Sequence, residues 1–241
     1  LARANLSRDR QDCTMSEVHV DVVRVFTDAE ERFGNELGIV RASEASDGRE
    51  QAIAAELGFS ETVFVKPVVD GSTSMRIFTP ASELPFAGHP SVGTAWWLAR
   101  EGTPISTLQV PAGDVAVRAD GEVTWVAGRA SWAPTFEWMP LPTPADVDAL
   151  NRAEFHDGKH YAYAWIDEAA GVLRSRMFAP AIGIAEDEAT GAAAVAITTK
   201  LDRDLDIHQG RGSRLRTLRG AGGLVEVGGL VAYEQRLALG A

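Results

Sequence analysis

Apolar and polar positions alternate over 18–26, VHVDVVRVF, and the residues are β-branched, which predicts a strand. Over 47–58, DGREQAIAAELG, the spacing of Ile53, Ala54 and Leu57 is helical, and Gly58 supplies a stop. Strands follow over 60–65 and 73–79, and a helix over 90–100 with Pro90 in its first turn. Residues 106–128 read as strands broken by turns at Ala112-Gly113 and Asp120-Gly121. The Pro-rich stretch 133–144 reads as a linker, followed by a helical pattern from Pro144 to Phe155. HYAYAWID and VLRSRMFAP read as a hairpin around Gly171, a small-residue helix is predicted from near Gly191, and the remainder is mostly strand.

One pattern occurs twice. RIFTP (76–80) leads into FAGHPSVGTA, and RMFAP (176–180) leads into EDEATGAAA. Each is a strand, a small-residue turn and an apolar helix start, which suggests an internal duplication. A helix start offers unpaired N–H groups and the positive end of the dipole, and small residues let a ligand approach them. Two such ends facing each other would clamp a small carboxylate. Alternatively, these glycines only permit tight turns and close packing.

Composition narrows the classes. The chain has 241 residues, 45% hydrophobic and 24% charged, as a globular protein has. Its net charge of -11 disfavours nucleic acid and anionic membranes as partners. No run is apolar enough for a transmembrane helix. Cys13 is the single cysteine, so no intrachain disulfide forms, and a cytoplasmic location is expected. Residues 1–14 are read as a disordered leader or upstream extension, 15–132 as an N-terminal half and 133–241 as a C-terminal half whose last segment packs back on the first.

Glu61 opens ETVFV and shares a strand face with Val63 and Val65. A carboxylate there is costly unless paired, neutral or at the rim of a cleft, and desolvation would raise its pKa toward general acid–base use. The other reading puts it at an exposed strand end. His89 sits in the first turn, and Asp187 precedes the second helix within the acidic triplet 186–188. Each has a plain structural reading as well: capping or packing for His89, a solvated acid for Asp187.

The segments RVFTDAEERFGNELGIV, IAAELGFSETVFV, RIFTPASELPFAGHPSVGTA, EDEATGAAA and HQGRGS resemble, in order, the phenazine-biosynthesis PhzF-like isomerases (PhzC/PhzF family). They span about residues 20 to 213. The resemblance implies an α+β, diaminopimelate-epimerase-like fold of two pseudo-symmetric halves, each a barrel-like sheet around a central helix, with the active site between them. It implies a homodimer, no metal and no organic cofactor. The family's best-known member isomerises trans-2,3-dihydro-3-hydroxyanthranilate. By resemblance Glu61 would shuttle a proton between carbons of a small carboxylate, with His89 and Asp187 as polar partners. Ser60, Gly88, Thr190, Gly191 and Ala192 would contact substrate.

The chain departs from the family pattern at several points. Glu188 stands where Pro is usual and adds charge near the site, and Ala192 stands where a serine hydroxyl is usual. GNELGIV and QGRGSRL each lack a usual Pro, and the second half is short. The sequence also keeps a second function open, a non-catalytic small-anion-binding or regulatory protein on this fold. Two-cysteine racemase chemistry is excluded by the single Cys13. A metal site at His156 and His160 is disfavoured by the Asp157-Gly158 turn between them. Gly210-Arg211-Gly212 is too short for a phosphate loop, and Lys66, Lys159 and Lys200 lack a pyridoxal-phosphate context. Trp96 and Trp97 are assigned to the core.

Overall fold

A computed structural model describes residues 17–240; the expected leader lies outside them. The first half runs β1 (Val18–Thr27), β2 (Asn35–Arg41), α1 (Glu50–Leu57), β3 (Glu61–Val65), β4 (Ser72–Phe78), β5 (Glu83–Leu84), α2 (Gly88–Arg100), β6 (Thr107–Val110), β7 (Gly113–Asp120) and β8 (Val123–Arg129). The second runs β9 (Glu137–Pro140), α3 (Pro144–Asp148), β10 (His160–Asp167), β11 (Val172–Ala179), β12 (Ile184–Asp187), α4 (Gly191–Leu201), β13 (Leu205–Gln209), β14 (Ser213–Arg219) and β15 (Leu224–Leu239).

The duplication is visible in the connections. In the first half, parallel pair β2–β3 is bridged by α1 and parallel pair β4–β6 by α2. In the second, β9–β10 is bridged by α3 and β11–β13 by α4. The hairpins β3–β4 and β10–β11 correspond, as do β6–β7 and β13–β14.

The halves differ in closure. Strands β1, β2, β3, β4, β6, β7, β8 and β15 form a closed eight-stranded barrel, because β15 pairs with both β8 and β1. The second half extends from β15 through β14, β13, β11 and β10 to β9, where the path ends. Its sheet wraps α4 without the ring that encloses α2. The fold is α+β, as expected, with the second barrel left open.

Helix α2 is the axle of the closed barrel. Ten of its thirteen residues are buried, including Trp97 at 0% exposure, so it is apolar on nearly every side. Trp96 is half-buried against the same core. That core runs continuously from Val23 and Val25 on β1 to Ile197 on α4 and Val227 on β15. A smaller core under α1 joins Val18, Val20, Ile53, Ala54, Phe64 and Phe78. β1 serves both cores, and its register with β15 shifts between Val22 and Val23. Such a bulge changes which face the following side chains present.

The Pro-rich stretch is not a free tether. It holds β9, and Phe136 and Trp138 pack edge-on around Tyr161. Pro and turn residues masked an aromatic anchor. The helical pattern after Pro144 yields only α3, five residues closed by a reciprocal Thr143–Asp146 capping box. Asn151 then turns the chain into a short 3-10 segment.

Candidate active site

The two helix starts meet. A Cβ added to Gly88 would lie 2.8 Å from the Gly191 Cα, and one added to Gly191 would lie 2.8 Å from the Gly88 Cα and 3.0 Å from the His89 nitrogen. Only glycine allows two backbones this close. Neither start carries a side-chain cap: Ala87 has no hydroxyl or carboxylate to offer, and Thr190 spends its hydroxyl on Asp187. Unpaired N–H groups from both helices are therefore concentrated at one point.

That point lies in the wall of a cavity of about 330 Å³ between the halves. Glu61, His89, Asp187, Gly88, Gly191 and Ala192 all line it, and so does Thr190. Leu84, Phe86, Trp132, Phe136, Met177 and Ile184 supply an apolar wall. The mix suits a small organic acid: polar groups at one end, hydrocarbon around the rest.

Glu61 reaches this wall because Gly58 ends α1 in the left-handed conformation (φ 70°) and β3 starts three residues later. Its side chain is 14% exposed, and Oε2 is buried with no hydrogen-bond partner. Burial pushes its pKa up to about 7, against a smaller lowering by the Ser60 hydroxyl. At neutral pH Glu61 can therefore both give and accept a proton.

His89 Nε2 lies 3.3 Å from Glu61 Oε2, yet it too lacks an aligned partner. Burial pushes the imidazole down to about 4, so it is neutral at pH 7; the opposing effects of Asp187 and the Glu36 backbone are smaller. The distance alone would suit an ion pair, but burial works against charge on both partners, and neither atom makes a hydrogen bond to the other.

Asp187 is built differently. Asn35 Nδ2 donates to Oδ1 at 2.5 Å and Thr190 Oγ1 to Oδ2 at 2.5 Å. Burial raises its pKa, and the charge of Glu61 adds to that; the hydrogen bonds from Thr190 and Asn35 and the proximity of His89 oppose the rise. Gln209, fully buried, donates to the Asp187 carbonyl at 3.0 Å and to Thr190 Oγ1 at 2.8 Å, and accepts from the Thr190 N–H at 3.2 Å. Tyr161 donates to Ser175 Oγ at 3.0 Å and lies 3.4 Å from Gln209 Oε1.

Asn35 and Gln209 carry no local sign of these roles beyond an amide on a strand otherwise buried, although both lie in the matching segments GNELGIV and HQGRGS. Two other expectations change. Ser60 does not line the cavity; it lies in a separate polar recess with Asn35 and Glu188 and acts on Glu61 from behind. Glu188 does not charge the cleft either. Its carboxylate accepts from the Arg211 N–H at 2.9 Å, the Gly212 N–H at 3.3 Å and Ser213 Oγ at 3.0 Å, while Ser213 Oγ accepts from the Gly34 N–H at 2.9 Å. It ties the β13–β14 turn to the entry of β2.

His160 opens β10 rather than sharing a helix face with His156, and it is flanked by Glu137 and Asp157. Among the described residues no group of three or more His, Cys, Asp or Glu is placed to hold a metal ion, and no helix is long and apolar enough to cross a membrane.

The PhzC-PhzF family model, phenazine biosynthesis-like protein, matches residues 23–165 and 156–227. The chain belongs to this family. The trans-2,3-dihydro-3-hydroxyanthranilate isomerase of Pseudomonas chlororaphis is 34% identical over 227 residues, covering 78% of this chain and 78% of that protein. Its Pseudomonas aeruginosa counterpart is 30% identical over 220 residues, covering 76% and 77%. A phenazine biosynthesis protein of the PhzF family from Enterococcus faecalis superposes with a TM-score of 0.72 at 19% identity, over 94% of this chain and all of that one, which is a likeness of fold. Like the relatives it matches, this PhzC-PhzF member is an isomerase.

Proposed function

We propose that this PhzC-PhzF member moves a proton between two carbons of a small carboxylate, using its own side chains and no cofactor. The substrate carboxylate accepts hydrogen bonds from the unpaired N–H groups where Gly88 and Gly191 meet. Glu61 as carboxylate takes a proton from one carbon; the electron pair shifts through the adjoining double bond; the same carboxyl returns the proton to a second carbon. No atom is gained or lost. His89, neutral, hydrogen-bonds the Glu61 carboxyl once substrate aligns the pair. Asp187 holds the second helix start and orients the substrate's polar groups. Trans-2,3-dihydro-3-hydroxyanthranilate, the substrate in the relatives' names, or a near analogue is the natural first candidate. Ala192 offers it a methyl group and no hydroxyl.

One observation carries this reading: a buried carboxyl with a pKa near 7 and an unpartnered oxygen shares a cavity wall with two uncapped helix starts. Perturbed groups of this kind concentrate at catalytic sites. The test is substrate turnover in deuterium oxide. Wild type should place solvent deuterium at the carbon that gains hydrogen, in proportion to how far Glu61 exchanges with solvent during a turnover. Glu61→Gln should lose about a thousandfold in kcat, within the usual range for removal of a general base, while still binding substrate. Turnover surviving in Glu61→Gln would remove Glu61 from the role. By family likeness we also assign the protein to the cytoplasm as a homodimer; light scattering at micromolar concentration would read twice the 25.8 kDa chain mass, and a monomer mass would refute the dimer.

A further inference from the structure

Among the described residues lining the cavity, Lys159 is the one Lys or Arg. It is half-buried and sits between Gly158 and the start of β10. Its carbonyl accepts from the Glu137 N–H at 2.8 Å, which fixes the backbone beside β9. The acids that flank this backbone are turned elsewhere: Glu137, across from it on β9, lies 3.3 Å from His160 Nδ1 and Asp157 lies 3.9 Å from His160 Nε2. Among the described residues no carboxylate comes within 4.0 Å of the Lys159 ammonium. Glu61 and Asp187 share the cavity with it, yet neither is within ion-pair distance.

A cation in the wall of a largely apolar cavity, with no protein carboxylate within ion-pair distance in a chain of net charge -11, is available to an anionic ligand group. The protein's overall field repels dianions, so a local cation is what would admit one. The apolar residues, Phe86, Trp132, Phe136 and Ile184 among them, would enclose a flat hydrocarbon middle. Lysine's flexible four-carbon stem lets one ammonium follow a group at the mouth.

We infer that Lys159 selects substrates carrying a second anionic group, a carboxylate set across an apolar middle from the one held at Gly88 and Gly191. This rests on the carboxylate clamp proposed above and departs from the monocarboxylate named there: the preferred class is small dicarboxylic acids with a ring or unsaturated core. Lys159 is a specificity residue here and takes no part in the proton transfer.

Calorimetric titration with benzoate, benzene-1,3-dicarboxylate and benzene-1,4-dicarboxylate tests this at fixed ionic strength. In wild type, one of the dicarboxylates should bind about tenfold more tightly than benzoate, as an added charge-assisted contact at a partly exposed site would give. Lys159→Met should abolish that preference and leave benzoate affinity unchanged, whereas Lys159→Arg should keep most of it. If wild type shows no preference, or Lys159→Met retains it, the Lys159 assignment is wrong while the clamp stands on benzoate binding. If wild type binds none of the three, the clamp reading fails and this one with it. Lys159→Arg giving the Lys159→Met result while remaining folded by circular dichroism would also overturn it, since charge rather than shape is claimed.

Discussion

On the closed-barrel side of the cleft, Glu61 Oε2 and His89 Nε2 are buried without hydrogen-bond partners. On the open-sheet side, both oxygens of Asp187 are bonded, and the groups that bond them are themselves held by Gln209 and Ala189. The difference separates two jobs. An unsatisfied buried group retains capacity that a substrate can use, at a cost to stability. A satisfied one is fixed in place. The unsatisfied groups sit on the side where the barrel closes around α2, and the hydrogen-bond network sits on the side where the sheet is open.

The comparison breaks most completely at the point the two sides share. Gly88→Ala drives a methyl group into the Gly191 backbone. Overpacking of this kind costs about 1–3 kcal/mol, and here the only relief is to part the helix starts. Carboxylate binding should be lost, and thermal unfolding should show the strain. A variant that binds benzoate normally would mean the helix starts are not the clamp.

The cost of the unsatisfied side can be read against pH. The folded-state pKa of Glu61 is raised from 4.5 to about 7, so the folded protein holds this proton more tightly than the unfolded chain. Its contribution is fully present below about 4.5 and is lost as pH rises through about 7. Glu61→Gln, which stays neutral, should match wild type near pH 4.5 and become more stable above pH 7, by up to about 3 kcal/mol at 1.36 kcal/mol per pKa unit. His89 behaves in the opposite sense. Its lowered value means stability is lost as pH falls from 6.5 through about 4. Parallel melting curves from pH 5 to 8.5 decide it; a constant gap would show that Glu61 is not desolvated.

The satisfied side gives the smallest effect. Asn35→Ala removes the donor to Asp187 Oδ1 and leaves the Ala189 carbonyl short of one partner. The Asp187 pKa should rise further, because a hydrogen bond that lowers it is gone. The expected loss is about 1–2 kcal/mol in stability and about tenfold in kcat, with the pH–rate profile displaced upward. An unchanged profile would make Asn35 purely structural.

Much of this was legible in the chain. Periodicity located β1, α1, α2 and the β10–β11 hairpin, and Gly58 marked the end of α1, because those features depend on neighbours in sequence. The repeated strand–turn–helix pointed to two helix starts, and matched connections around α2 and α4 bear out the duplication. What stayed hidden depends on distance in sequence. Asn35 meets Asp187 across 152 residues, and Glu188 faces Arg211 and Ser213 rather than the cleft. Nothing local to either residue announces those partners. The Pro-rich stretch misled for a different reason: its prolines are real chain breakers, but Phe136 and Trp138 outweigh them by packing on Tyr161. The openness of the second sheet has no local signature at all.

Strand β15 has one more implication. It pairs with β1 as far apart as Val18 and Leu239, with β8, and with β14. The first barrel thus waits for a segment made long after the rest of it. Contacts of such long sequence separation are slow to form, since the entropy of closing so large a loop is lost before the pairing compensates. During synthesis, the strands around α2 must remain an unclosed sheet with exposed edges until residues 224–239 leave the ribosome. The same strand that seals the barrel also pairs with β14, so the cleft between the halves is complete only once β15 is in place.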